Sequence, residues 1–448
     1  MKLIREIAFG GYGEVSEVEL ADGTRVAQKK FAPQGKLTSA DREKLRKRFV
    51  REVATQQLLT KYGTLAILDS DLKADPPWFT MPLADRNYRE QIAEDRAASK
   101  LSPEPLADIL NCLGEVHQRG FVHRDLKPEN ILRVDGRWYL ADLGLAIGLD
   151  LSATTKLTTT GAAYGSPLYM APEQARDFSR VTAAADMFSF GCILHDLVDG
   201  GARSPFTTAT TKNKSWDQVI RKCTALDPAK RFASIKALRG VVIQTLRKHA
   251  NLQQSPETVT WARELESLGS WEPEKFLEFA SAVRSEDAGT ERGVVAELTA
   301  EHLAIIKEKH LEAWFQIGHA YATWMAAGFT WAFCDVIADR AATFVDDTDD
   351  LELMAEVLVG LAQLGHKNHR WYVMKMFVRR CGKELDEFAA QRIQFEFQAN
   401  DLQHLIHESV AELFKYSLED YHPLIASLAY PEEPEEPDKA REAEVHED

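Results

Sequence analysis

The sequence predicts an α+β first half followed by an all-α second half. Three observations carry this. Apolar and polar residues alternate with period two through the first thirty residues. Strand signals stop after about residue 250, and the periodicity becomes helical. The charge divides at the same place: residues 1–250 carry 37 Lys+Arg and 30 Asp+Glu, whereas residues 251–448 carry 17 and 39. Such a split points to two domains with different work.

The elements follow in order. Ile4 to Ile7 and Glu14 to Leu20 read as strands, with Ala21-Asp22-Gly23-Thr24 as a hairpin turn and Arg25 to Lys29 as the next strand. Residues 39–60 read as a helix with Leu45, Phe49 and Val53 on one face. Ser102 opens another helix with Pro103 at its first position and Leu106, Ile109, Leu110, Leu113 and His117 on one side. Asp186 to Val198 is apolar nearly all round, as a buried helix is. Asn251 to Pro256 reads as a linker. Beyond it lie three apolar stripes: Met354, Val357, Leu358, Leu361 and Leu364; Trp371, Met374, Phe377 and Val378; and Leu402, Leu405, Ile406, Val410 and Leu413. Short links such as Gly365-His366-Lys367-Asn368 suggest stacked helical hairpins. From Pro431 the tail is acidic and Pro-rich, the composition of a disordered segment.

Composition narrows the class. Of 448 residues 45% are hydrophobic and 27% charged, which excludes collagen, a disulfide scaffold and a mostly disordered chain. The five cysteines show neither CxxC nor Cys/His spacing and read as reduced core thiols. Met1-Lys2-Leu3-Ile4-Arg5-Glu6 has no apolar core of signal-peptide length, so the expected location is cytoplasmic. Ala313 to Cys334 is uncharged for 22 positions, yet it holds Gln316, His319, Thr323 and Thr330; two core helices broken near Gly328 are expected, and no membrane contact. No basic patch with interleaved aromatics appears, so no nucleic acid is expected.

The chemistry concentrates in one segment. His123-Arg124-Asp125-Leu126-Lys127-Pro128-Glu129-Asn130 supplies a carboxylate base and, five residues on, an amide oxygen; Asp142-Leu143-Gly144 follows twelve residues later. Oxygen ligands for a metal beside a carboxylate suit phosphoryl transfer, which needs charge neutralisation and positioning more than covalent catalysis. Gly165-Ser166-Pro167-Leu168-Tyr169-Met170-Ala171-Pro172-Glu173 comes next, and Val26-Ala27-Gln28-Lys29 and Ile7-Ala8-Phe9-Gly10-Gly11-Tyr12-Gly13-Glu14-Val15 precede. With these motifs in this order, residues 1–245 resemble the eukaryotic-type (Hanks-type) protein kinase superfamily, serine/threonine branch.

The resemblance implies a bilobal α+β fold: a small antiparallel-sheet lobe over residues 1–82 and a helical lobe over 83–248. A linker over 249–258, an all-α domain over 259–429 and a tail over 430–448 complete the expected layout. It also implies ATP and Mg²⁺, with Mn²⁺ as an alternative ion. Ile7, Ala8, Gly10, Gly11, Gly13 and Val15 would cover the ATP phosphates, although Ala8 stands where the family has its first glycine. Ala27 would meet adenine and Lys29 the phosphates. Glu52 would pair with Lys29; Thr80 would be a small gatekeeper and Leu83 would lie near the adenine-binding backbone. Asp125 would take the hydroxyl proton, Lys127 would stabilise the γ-phosphate, and Asn130 and Asp142 would hold the metal. Arg124 would meet a phosphate on Thr158, Thr159 or Thr160 after autophosphorylation. Ser166 would sense the acceptor hydroxyl. Glu173 and Arg231 would form a buried ion pair, and Asp186 would fix the catalytic-loop backbone.

The expected function is therefore transfer of the γ-phosphoryl of Mg-ATP to Ser/Thr hydroxyls of protein substrates. The helical domain is expected to bind an unknown protein partner or to restrain the kinase. The competing reading is a catalytically silent kinase-like scaffold acting through its helices, and the presence of Lys29, Asp125, Asn130 and Asp142 together argues against it. The helical half shows no catalytic set. Its histidines lack companions for a metal, and Asp346-Asp347-Thr348-Asp349-Asp350 lacks the glycine and terminal glutamate of a calcium loop.

Overall fold

Alternation builds the first sheet. In the computed structural model, β1 (Lys2–Gly10), β2 (Gly13–Glu19), β3 (Arg25–Phe31), β4 (Asp69–Asp71) and β5 (Trp78–Pro82) form an antiparallel sheet in the order β1-β2-β3-β5-β4. Residues 1–10, 12–35, 37–143, 147–148, 167–177, 181–249, 255–285, 293–327, 329, 331–411 and 416–430 are described. β1 departs from simple alternation: Leu3, Ile4, Ile7 and Phe9 are all exposed. It is an edge strand, and register shifts after Leu3 and after Glu6 turn its side chains out of phase with β2.

Helix α1 (Ser39–Leu59) packs on this sheet. Thr38 caps it by accepting from the Asp41 N–H at 3.1 Å. Phe49 and Val53 face the core with Ala27, Phe31, Phe79, Met81 and Ala141, and Leu45 packs against the same cluster. Full burial of a side chain such as Phe49 contributes about 2–3 kcal/mol.

The helical lobe starts with α2 (Tyr88–Ala97) and α3 (Pro103–Gln118). Ser102 stands at the N-cap of α3 with Pro103 at the first position, and the Asp95 carboxylate accepts from the Ser102 N–H and hydroxyl, both at 2.9 Å. Two small sheets follow: β7 (Phe121–Val122) pairs with β10 (Ile147–Gly148), and β6 (Arg86–Asn87) with β8 (Ile131–Val134) and then β9 (Arg137–Leu140). Helices α4 (Pro172–Arg176), α5 (Ala184–Val198), α6 (Lys214–Cys223) and α7 (Ile235–His249) complete this part. α5 is buried nearly all round, as its apolar sequence requires.

The chain divides into two compact units, Met1–Ala250 and Asn251–Asp448. In the second unit α8 (Pro256–Glu264) begins inside the expected linker 249–258, because Ser255 caps it and Pro256 is pre-set for its first turn. Then come α9 (Pro273–Arg284), α10 (Val294–Glu297), α11 (Ala300–Lys309), α12 (Leu311–Met325), α13 (Trp331–Asp346), α14 (Leu351–Lys367), α15 (Trp371–Arg380), α16 (Glu387–Ala399), α17 (His404–Ala411) and α18 (Pro423–Ala426). α12 packs on α14 and α14 on α16, while α13 packs on α15 and both touch α14, the pattern of stacked helical pairs. α12 and α14 approach closely at Gly360, where a Cβ would lie 2.9 Å from the Ala322 carbonyl oxygen. Asp335 and Arg370, both fully buried, form an ion pair that joins α13 to the start of α15.

The uncharged stretch Ala313 to Cys334 is divided between α12 and α13, and among the described residues no helix is long and apolar enough to cross a membrane. No disulfide links the five buried cysteines. The expected link at Gly365-His366-Lys367 is not one: α14 continues to Lys367, and Gly365 is needed because a Cβ there would lie 3.1 Å from the Met374 nitrogen.

Candidate active site

The site gathers on β3, α1 and the loops around β8 and β9. Strand alternation aims Lys29 off β3, and the α1 face that carries Phe49 and Val53 also presents Glu52. The two meet: Lys29 Nζ lies 2.6 Å from Glu52 Oε1 and 3.4 Å from Asp142 Oδ1. Burial alone would discharge Lys29, but the carboxylates of Asp142 and Glu52 outweigh it and hold the ammonium pKa above the ordinary lysine value. Burial opposes ionisation of Asp142 as well; Lys29, then Lys127, overcome it and keep this carboxyl below its usual range.

The glycine-rich hairpin lies over this group. Gly10 pairs with Gly13 where β1 turns into β2. A Cβ on Gly13 would sit 3.1 Å from Lys29 Cε, so the lysine stem passes close beneath the hairpin. Ile7 and Ala8 are exposed; Val15 is partly buried against the cluster holding Ala27.

Register corrects one expectation. Residues directly opposite each other in an antiparallel pair share a face. Ala27 lies opposite Met81 and Lys29 opposite Phe79, whereas Thr80 lies opposite Gln28. Thr80 thus faces away from Ala27 and Lys29, and its hydroxyl donates to the Asp69 carbonyl at 3.4 Å. Met81, not Thr80, is the residue opposite Ala27 and packs in the same apolar cluster. Leu83 packs against the same apolar cluster.

The catalytic-type loop is held from below. Asp186, at the start of α5 and fully buried, accepts from the backbone N–H of His123 at 2.8 Å and of Arg124 at 2.9 Å, and bonds His117 Nε2 at 2.7 Å. Burial pushes the Asp186 carboxyl up, but the His117 bond and the N–H donors outweigh it and keep it low. This support matters because Arg124 adopts a left-handed backbone, φ 67°, as does Asp142, φ 60°. His123 Nε2 bonds the Ala141 carbonyl at 3.1 Å, tying the loop to the segment that bears Asp142. The Arg124 side chain is buried and donates to the Val181 carbonyl.

Asp125, Lys127 and Asn130 converge above this base. Lys127 Nζ is 3.2 Å from Asp125 Oδ2. Asn130 Nδ2 donates to the Asp125 carbonyl at 2.8 Å and to Oδ2 at 3.2 Å. Burial, with the Asp142 charge adding to it, raises the Asp125 carboxyl above the usual range, partly offset by Lys127.

Those bonds use the side-chain amide nitrogen of Asn130 and not its side-chain amide oxygen Oδ1. The Asp142 carboxyl, held below its usual range by Lys29, has its side chain 40% exposed. Two oxygens of this kind fit a hard cation such as Mg²⁺ or Mn²⁺ that takes its other ligands from water and phosphate. Among the described residues no group of three His, Cys, Asp or Glu side chains could hold a metal ion, so the metal expectation rests on this pair.

Glu173 and Arg231 form a two-pronged pair, Arg231 Nη1 to Oε1 at 2.5 Å and Nη2 to Oε2 at 2.8 Å. Gly11, Thr158, Thr159, Thr160 and Ser166 lie outside the described residues. Sequence reasoning missed Met81, His117 and Tyr12; the Tyr12 hydroxyl donates to Glu52 at 2.9 Å. Only the position of Tyr12 inside the glycine motif could have drawn notice to it.

Comparison with known proteins agrees with this geometry. Residues 1–287 match the model of the protein kinase domain, running past the boundary between the two units. The serine/threonine-protein kinase AfsK of Streptomyces griseus is 35% identical over 208 residues, covering 45% of this chain and 24% of its own. The probable serine/threonine-protein kinase PknB of Corynebacterium glutamicum is 27% identical over 288 residues, 55% of this chain and 44% of its own. The DNA damage-responsive serine/threonine-protein kinase RqkA of Deinococcus radiodurans is 38% identical over 166 residues, 35% of this chain and 24% of its own. The chain therefore spans a quarter to under half of these relatives. With well over half of its length matched by that model, and with relatives that are themselves serine/threonine-protein kinases, the chain belongs to the protein kinase superfamily.

Proposed function

We propose that the chain transfers the γ-phosphoryl group of ATP to serine or threonine hydroxyls of protein substrates. The observation that carries this reading is the meeting of three separate elements at one ammonium: Lys29 from β3 lies within 3.4 Å of carboxylates from α1 and from the loop after β9. Such a cluster suits the binding and alignment of a triphosphate. Lys29 would hold the phosphates, with Glu52 fixing its position. Asn130 and Asp142 would hold the metal ion, which when bound neutralises phosphate charge. Asp125 would accept the proton of the attacking hydroxyl as the hydroxyl oxygen bonds the γ-phosphorus and the bond from that phosphorus to the bridging oxygen breaks to release ADP, and Lys127 would stabilise the charge gathering there. Half-buried Asp125 would be suited to this, because the raised pKa of its carboxyl makes it a better proton acceptor than an exposed aspartate.

The reading extends to autophosphorylation within Thr158 to Thr160, on the strength of the threonine run between the Asp142 and Glu173 motifs. It also gives the helical unit, Asn251–Asp448, the role of binding a protein partner or restraining the kinase. The test is incubation with labelled ATP, Mg²⁺ and a generic acceptor protein, followed by phosphosite mapping. Label on Ser and Thr of the acceptor and on the 158–160 run is expected. Asp125→Ala should lower the rate about 10²–10⁴-fold. Equal labelling by wild type and Asp125→Ala would refute the proposal.

A further inference from the structure

Tyr12 sits at the turn of the glycine hairpin, where a side chain would be expected to face solvent. It is instead 9% exposed and belongs to the apolar cluster with Phe31, Phe49 and Val53. Its carbonyl accepts from the Ala32 N–H at 3.0 Å, which anchors the turn to the end of β3. The guanidinium of Arg48, one helical turn before Glu52, lies 5.0 Å from its ring centre, and Lys29 Nζ lies 5.5 Å from it.

The hydroxyl decides what this packing does. Glu52 uses Oε1 for Lys29 at 2.6 Å and Oε2 for the Tyr12 hydroxyl at 2.9 Å. A buried carboxylate with one oxygen unsatisfied is costly and free to rotate. Here both oxygens are engaged, one by β3 and one by the hairpin. The ring packs toward α1 and the end of β3, with Phe31, Phe49 and Arg48. We propose that Tyr12 is a positioning residue: its hydroxyl orients Glu52 and couples the glycine hairpin to α1, so that the phosphate cover and the Lys29–Glu52 pair form together. This rests on the kinase reading of the same site and adds to it a residue outside the phosphate-contacting glycines.

The experiment compares wild type, Tyr12→Phe, Glu52→Gln and the double variant in the full chain, by steady-state kinetics and by backbone amide hydrogen exchange of the nucleotide-free protein. Phe keeps the ring and removes only the hydroxyl, so a purely packing role leaves Tyr12→Phe unchanged. The expected result is a loss of about tenfold in kcat/KM for ATP, the scale of one hydrogen bond to a charged group. Exchange should quicken together in residues 2–19 and 39–59. Tyr12→Phe should cost nothing further in the Glu52→Gln background. Glu52→Gln alone should also quicken exchange in 2–19, which keeps the idea testable should Tyr12→Phe fold poorly. Wild-type kinetics and exchange in Tyr12→Phe would overturn the proposal. So would tighter nucleotide binding by Tyr12→Phe, which would mean that the tyrosine blocks the site. If the wild-type chain transfers no phosphoryl group, the kinase reading fails, and the exchange data alone still decide whether Tyr12 couples the hairpin to α1.

Discussion

Burial lifts the Asp125 carboxyl, the Asp142 charge lifts it further, and Lys127 pulls it back. As the proposed base, Asp125 would work only when ionised, so turnover should rise with pH through its pKa. The acid limb of kcat should therefore lie above the ordinary aspartate value of about 3.9. Lys127→Met removes the group that lowers it and should move that limb to higher pH; a pH–rate profile of the two proteins checks this, and a limb that stays put or moves down contradicts it. Asp125, Lys127 and Asn130 were legible in the sequence because their contacts are made within five residues. Lys29 and Glu52 were legible because strand and helix periodicity set their phase. Tyr12 was not, since its partner lies forty residues away and no period links a hairpin turn to a helix.

Strand β5 shows where pattern fails. Phe79, Thr80 and Met81 are 1%, 2% and 8% exposed, so the strand is buried on both faces and alternation gives no phase. Only pairing with β3 tells which residue faces the cleft. Met81→Ala should therefore change KM for ATP several-fold, while Thr80→Val should leave KM unchanged and cost about 1 kcal/mol of stability by losing the bond to Asp69. The reverse pattern in a kinetic and melting comparison would refute the register. Helix α5 supplies the second case. Asp186→Ala orphans two buried N–H groups under a left-handed turn and should destabilise by about 3 kcal/mol. A denaturant titration with an unchanged midpoint would contradict that support. In the second unit the stripe of α14 was legible, but Gly365 read as a turn because a glycine demanded by close packing looks the same as one demanded by φ.

At the scale of the whole chain, composition and charge located the change of character near residue 250, and the chain divides into its two compact units between residues 250 and 251. The role of the helical unit leaves no comparable trace, since partner surfaces are made by exposed residues that obey no periodicity. Its stability is accessible through the buried Asp335–Arg370 pair. Asp335→Ala removes the carboxylate that faces a buried guanidinium and should lower the unfolding free energy of that unit by about 3–5 kcal/mol. If the unit restrains the kinase or recruits substrate, the variant carrying both units should also change in phosphorylation rate or substrate choice; calorimetry with a substrate panel reads both, and unchanged activity on a melted helical unit would refute the regulatory role. The central claim is that Lys29, Asn130 and Asp142 serve one metal-bound nucleotide. Calorimetric titration of ATP with and without Mg²⁺ tests it most directly. Wild type and Asp125→Ala should bind more tightly with Mg²⁺, Asp142→Asn should lose that dependence, and Lys29→Met should bind more weakly in either case; full Mg²⁺ dependence in Asp142→Asn, with wild-type affinity in Lys29→Met, would contradict it.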